Sequence, residues 1–295
     1  MTLPLPSSLT PLALDREALA RDIRSLPSLP TVVQELMLLV RQADTPLDVV
    51  TNTLRLDQAL SVKVLQLANS PFYGLSGRID SVRDAINILG MRQLASLVIA
   101  AALTLQFEKL HGQSLHMDSF WRHSIGCAAA ARQLAQRAGL DEPAAFTAGL
   151  LHDVGRLVVD SHYPLEAAQA IAWAEQNDMP HCEAERTLLG IDHTELGEWV
   201  CRHWRFSSDV IEAIACHHKP PPAGGVSLID VVHVADAITH ALDLAKANTE
   251  AVPGIHAMAW NRISLQEDEL PALLGHIENE FNDLLAVLRP TKEVV

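Results

Sequence analysis

Apolar residues along the chain recur mostly at three- and four-residue spacings, the repeat that lays one stripe of a helix against a core. Val33, Leu36, Met37 and Val40 form one such stripe, and Thr31 with Gln34 ahead of it reads as a capping box. Thr45 followed by Pro46 predicts an N-cap with proline at the first helical position, and Asp48 sits favourably for the helix dipole. Asp57 opens a third helix whose Leu60, Val64 and Leu67 share a face. Asn69-Ser70-Pro71 ends it, because proline pushes the preceding residue out of the α region. Ser81 with Asp84 starts another, with Val82, Ala85, Ile86 and Leu89 on one side and Gly90 as its stop. From Leu97 to Leu105 the pattern turns continuously apolar, about half of the ~20 residues a bilayer span requires, so a buried helix is expected there.

A second block begins near His116, with Ala-rich helices expected over about 119–138 and 143–160. Further helical patterns follow at about 164–177, 181–189, 192–203, 207–217 and 226–246, the last two separated by the loop KPPPAGG at 219–225. A Pro253-Gly254 loop then leads to a final helix over about 267–288. No convincing alternation of β-branched residues occurs, so the expected fold class is all-α. Residues 1–15, with Pro4, Pro6 and Pro11 among Ser and Thr, read as a flexible leader. They have neither the basic start nor the continuous apolar run of a signal peptide.

Composition narrows the partners more than the fold. A hydrophobic fraction of 48% supports a sizeable core, and aromatics at 4% leave Ala and Leu to pack the helices. The net charge of −14 opposes nucleic acid and anionic membranes as partners. Cys127, Cys182, Cys201 and Cys216 are widely spaced, which suits reduced thiols in a cytoplasmic protein and neither a disulfide framework nor a cysteine zinc site.

The chemistry concentrates in LLHDVGRL, residues 150–157, where His152 and Asp153 adjoin within a helical pattern. Side chains adjacent on a helix diverge by about 100°, so the pair can share only something at their common edge. A metal ion is the natural candidate, since imidazole and carboxylate both bind Zn, Mn and Fe. His123 lies one helix earlier in FWRHS, His193 opens a helix in GIDHTELG, and His217-His218 closes another. Asp236 stands beside Ile229, Val232 and Ala235 on an apolar helix, where a carboxylate needs a partner, a metal or a proton. His233 and His240 flank it and read as surface or interface residues, a supporting role around the metal being the alternative.

The order of these groups resembles the HD superfamily of metal-dependent phosphohydrolases, and in ligand content its HD-GYP branch. LPSLP (26–30), LRLDQALSVKVLQLANSPFYG (54–74), IDSVRDAINILG (79–90), FWRHS and GIDHTELGEWVCRHW resemble the HDOD signature, so the chain is identified as a member of the HDOD family over about residues 20–245. The resemblance implies an HD-like helical bundle: an N-terminal helical lobe (16–112), an HD-like lobe (113–246) and a C-terminal helical extension (247–295). It implies a cytoplasmic signal-transduction or regulatory protein with protein partners, a retained metal site and a nucleotide as the conceivable ligand. The competing expectation is a metal-dependent phosphohydrolase acting on a nucleotide or cyclic dinucleotide. One or two divalent ions, Fe, Mn or Zn, are implied. His123, His152 and Asp236 would hold the first, His193, His217 and His218 the second, with Asp153 as the bridge. Arg156 replaces the lysine found three after the aspartate in HD-GYP enzymes; it keeps the charge but cannot lose a proton. HHKPPPAGG stands where that branch has its GYP loop, and Ser119 stands where some relatives have a glutamate, which argues against a third metal.

Overall fold

The computed structural model describes residues 12–26, 29–42, 44–73, 78–107, 114–246 and 252–289. Residues 1–11 of the expected leader, positions 27–28 of LPSLP, Gly74 and the expected lobe boundary at 112–113 lie outside the described residues. In the first half the helices are α1 (Arg16–Ser25), α2 (Thr31–Val40), α3 (Leu47–Arg55), α4 (Gln58–Ala68), α5 (Val82–Leu89) and α6 (Met91–Phe107). They continue as α7 (Met117–Ala138), α8 (Glu142–Leu151), α9 (Val154–His162), α10 (Pro164–Asn177) and α11 (His181–Leu189). The remainder is α12 (His193–His203), α13 (Ser208–Cys216), α14 (Leu228–Ala241), α15 (Ala257–Ile263) and α16 (Leu270–Leu288), with 3-10 turns at Pro71–Tyr73 and Glu267–Glu269. The described residues are helical with no strand, an all-α fold.

Local chemistry explains most helix starts. Asp57 accepts from Leu60 N at 3.0 Å and Ser81 from Asp84 N at 3.1 Å, and caps of this kind are worth about 1 kcal/mol each. The expected caps at Thr31 and Thr45 are displaced by one residue. Pro30 and Pro46 occupy the cap positions in extended backbone, so Thr31 is already helical. Gln34 instead donates to Leu29 O at 2.6 Å, and Thr45 Oγ1 donates to Leu39 O at 2.6 Å, tying the α2–α3 turn. At the far end, α14 stops at Ala241 rather than near 246, and the chain turns with Asp243 and Lys246 in left-handed backbone. The short helix α15 has no counterpart in the expected pattern, which shows only a loop there.

Helix α7 is the axis of the molecule. It packs against α8, α14 and α16 and is buried from Phe120 to Ala135. Buried apolar side chains from Leu19 to Leu288 join one continuous cluster, linked through α6 against α8, α1 against α12, and α16 against α4 and α7. Ala128 to Ala131 are fully buried, and small side chains allow close helix axes. Glycine takes this further. A Cβ on Gly149 would lie 2.6 Å from Cys127 O, and one on Gly155 would lie 2.1 Å from His193 O. These approaches pull α8 onto α7 and α9 onto α12, close enough for side chains from several helices to meet.

The expected helix over 143–160 is in fact two, broken at His152-Asp153. The break accompanies the contact at Gly155: α9 must lie directly on the start of α12, and a straight continuation of α8 would keep one axis for both. Asp153, at φ −101° and ψ 9°, stands at the N-cap position of α9 without using its side chain as a cap. Gly155→Ala is expected to destabilise the chain by about 3 kcal/mol or more, because the obstruction is backbone and cannot rotate away. Thermal unfolding checks this; an unchanged midpoint would mean that the α9–α12 contact is looser than drawn.

Candidate metal centre

Seven of the expected site residues arrive at one place from five parts of the chain. His123 comes from the second turn of α7, His152 and Asp153 from the α8–α9 junction, and His193 from the first residue of α12. His217 and His218 follow α13, and Asp236 lies in α14. His123, His152, Asp153, His193, His217 and Asp236 are all buried, His217 completely.

The contacts form two groups sharing a carboxylate. In the first, His123 Nε2 is 3.1 Å from His152 Nε2 and 3.2 Å from Asp236 Oδ1. In the second, His193 Nε2 is 3.0 Å from His218 Nε2, with His217 close enough to complete a three-histidine set. Asp153 Oδ1 stands between them, 3.6 Å from His152 Nε2, 3.3 Å from His193 Nε2 and 3.9 Å from His217 Nε2. Its other oxygen accepts from Arg156 Nη1 at 3.1 Å.

These spacings suit a metal. Ligand atoms about 2.0–2.2 Å from one ion lie roughly 3.0–3.5 Å from each other, the edge of its coordination shell. The outward hydrogen bonds fix which ring nitrogen faces inward. His152 Nδ1 bonds Gly149 O at 2.8 Å, His217 Nδ1 bonds Ile214 O at 2.8 Å, and His193 Nδ1 bonds Glu185 Oε2 at 2.6 Å. A nitrogen bonded to a carbonyl or carboxylate carries the proton, which leaves the Nε2 lone pair aimed at Asp153. Two lone pairs facing each other repel unless a cation or proton lies between. His217 Nε2 is buried and, among the described residues, has no hydrogen-bond partner. The donor set fits a divalent transition metal.

Charge follows the same geometry. Burial would raise Asp153, yet His152, His193 and Arg156 hold it well below the usual carboxylate range. Asp236 is likewise depressed, burial being outweighed by His123 and His240. Burial lowers His152 and, with His218 and His152 beside it, depresses His217 strongly. His218 falls to about 4 through burial and His193. His193 rises to about 9: burial opposes the shift, but Glu185 and Asp153 overcome it. Crowded imidazoles cannot all be charged, and the proton settles where two carboxylates meet. A metal would displace it from Nε2.

Three supporting residues were not assigned from sequence. His240, expected at the surface or an interface, has Nε2 3.3 Å from Asp236 Oδ1 and forms a metal-competent group with it and His123. Its position four after Asp236 on one helix face was the available signal. His233 is also no surface residue. It is buried, its Nδ1 bonds His217 O at 2.7 Å, and His256 N donates to its Nε2 at 2.8 Å. The third, Glu185, lies across the Gly190 turn from His193, where no helical spacing connects them.

A cavity of about 520 Å³ opens onto the centre. Asp153, Arg156, His193, His218, Asp236 and His240 form its floor, and the α10–α11 turn with residues 252–254 forms its walls. All four cysteines are free thiols, and among the described residues no helix is long and apolar enough to cross a membrane.

Comparison with known proteins agrees with this architecture. The HDOD domain family matches residues 26–220. An HDOD domain protein of unknown function from Geobacter sulfurreducens is 27% identical, with a TM-score of 0.77 over 92% of this chain and 98% of that one. A proposed phosphohydrolase from Shewanella amazonensis SB2B is also 27% identical, with a TM-score of 0.73 over 92% of this chain and 98% of that one. An uncharacterized Treponema pallidum protein is 27% identical over 211 residues, which are 70% of this chain but only 40% of that relative's length. With the family match spanning more than half of the sequence and the same helical fold beneath it, this chain belongs to the HDOD family.

Proposed function

We propose that the chain is a metal-dependent phosphohydrolase acting on a phosphate ester of about nucleotide size. The observation that carries the reading is the buried Nε2 of His217, which among the described residues has no hydrogen-bond partner, facing Asp153 Oδ1 inside a set of histidines and carboxylates. His123, His152 and Asp236 would hold one ion and His193, His217 and His218 the other, with Asp153 shared. Ions held there would supply Lewis-acid polarisation of a phosphoryl oxygen and a water acidified to near-neutral pKa. The protein's own part is positioning. Arg156 lines the cavity with one guanidinium nitrogen on Asp153, which places a cation beside the position a phosphate oxygen would take. The volume lies in the range of small-ligand pockets.

The test is uptake and turnover together. Metal-free protein is loaded with Mn, Fe or Zn, and release of nitrophenol from bis(p-nitrophenyl) phosphate is followed with and without chelator. Chelator-sensitive turnover is expected, and Arg156→Ala should raise KM by roughly 10- to 100-fold with metal content unchanged, the loss of one charge-assisted contact. No uptake of any of the three metals, or uptake without turnover of any phosphate ester, sinks the enzyme reading. The second outcome would favour a regulatory HDOD module that keeps its metal and signals through protein contacts. That reading draws on Leu38, Val49, Leu56, Val62 and Ile88, large apolar side chains exposed on the first helices.

A further inference from the structure

The inward-facing imidazoles of His152, His217 and His193 are each held by the other ring nitrogen, and the holders differ in kind. His152 and His217 bond backbone carbonyls within their own turns, Gly149 O and Ile214 O. Such holders come with the helix and cannot be altered by side-chain substitution. His193 is different. Glu185, on the neighbouring helix α11, takes the His193 ring Nδ1 at 2.6 Å and the His193 backbone N–H at 2.8 Å on the same oxygen, Oε2. One carboxylate therefore orients the ring and fixes the first residue of α12, the same residue whose carbonyl packs against Gly155. The glutamate is itself buried. A buried carboxylate needs such partners, and a double acceptor role for one oxygen suits a charged group better than a neutral amide.

From this arrangement we infer that Glu185 is a positioning residue for metal binding at the His193–His217–His218 site. It locks the Nδ1–H form of His193, directs Nε2 at the ion position, and makes the ring a stronger donor than its carbonyl-held neighbours. The same short helix begins at Pro180, His181 and Cys182, which line the cavity wall. Helix α11 thus joins the surface a ligand would touch to the orientation of one metal ligand. This inference rests on the metal-centre reading above, and goes beyond it by giving the His193–His217–His218 site a carboxylate support on the outer face of one ligand.

The experiment is a titration of metal-free protein with Zn under chelator competition, wild type beside Glu185→Gln and Glu185→Asp. The Gln variant keeps size and one acceptor but loses the charge. It should bind one of two equivalents about 10- to 100-fold more weakly, the usual effect of removing such a support, with the other equivalent unchanged. The Asp variant should recover part of that loss. In the zinc-loaded wild type, the His193 ring N–H should give a strongly downfield proton resonance, moved upfield in Glu185→Gln. A merely structural role for Glu185 would lower the unfolding midpoint of the metal-free protein without selective weakening of one equivalent or movement of that resonance. Unchanged affinity at both sites in a folded Gln variant overturns this inference alone. Wild-type protein that takes up no zinc overturns it together with the metal-centre reading.

Discussion

Asp153→Ala is expected to lower bound metal from near two equivalents to one or fewer and to reduce phosphoester turnover about a thousandfold or more. Asp153 Oδ1 is the atom that stands within 3.6 Å of His152 Nε2 and 3.3 Å of His193 Nε2, so both ligand groups depend on it. Without it, His193, His217 and His218 still make a three-nitrogen set, which is why one weakly held equivalent can remain. The first group keeps His123, His152 and Asp236 but loses its link to the second. Metals in such sites supply several kcal/mol of transition-state stabilisation, and about 4 kcal/mol is already near a thousandfold in rate. Asp153→Asn sharpens the result, since it keeps the shape and the contact with Arg156 while removing the negative charge. Elemental analysis of the three proteins, purified in parallel, gives the stoichiometry. Two full equivalents retained in the alanine variant would place the bridge elsewhere and undo the assignment of Asp153.

The same residues show what a sequence discloses and what it withholds. Asp57 and Ser81 announce their helices because a cap is a local event, settled by a side chain and an amide three residues on. The constellation from His123 to Asp236 was legible for another reason. Ionisable groups on otherwise apolar helices imply a common destination, even when the path between them is unknown. The break at His152-Asp153 was not legible, since Leu150, Leu151, Val154 and Leu157 sustain a helical pattern across it. It arises with the seating of Gly155 on the carbonyl of His193, a contact between distant segments. Glu185 was hidden in the same way, reaching His193 across a turn that turns α11 into α12 and depends on Gly190 at φ 73°. His240 sits between these cases: its spacing from Asp236 was visible, but exposure could not be read from spacing alone. Thr31 and Thr45 are the reverse error, local cap signals displaced by prolines that already hold the preceding backbone extended.

Away from the centre, the largest loss of stability should come from Glu280→Ala, about 3–5 kcal/mol, or a fall in unfolding midpoint on the order of 10 °C. Glu280 of α16 is fully buried against α7, where it pairs with Arg132 and accepts from Gln133 Nε2 at 2.6 Å. Arg132 is itself 3% exposed and lies over the Phe72 ring at 4.5 Å, with its Nη1 bonded to Tyr73 Oη at 2.9 Å. Above about pH 7, where Glu280 is ionised, removing the carboxylate leaves a guanidinium buried without its counter-charge, which costs far more than the pair contributes. Arg132→Met with Glu280→Leu should therefore recover most of the loss, because both charges leave together. The pair also has a pH signature. Burial pushes Glu280 up to about 7, against the pull of Arg132 and Gln133, while the unfolded chain titrates near its ordinary 4.5. Between those values the folded state keeps a proton the unfolded state has released, so this group's contribution is full below about 4.5 and declines as pH rises to about 7. Denaturant unfolding across that range, compared between wild type and the double variant, isolates the slope. If Glu280→Ala unfolds at the wild-type midpoint, α16 does not hold its carboxylate in the α7 interface, and the packing of the C-terminal helix must be redrawn.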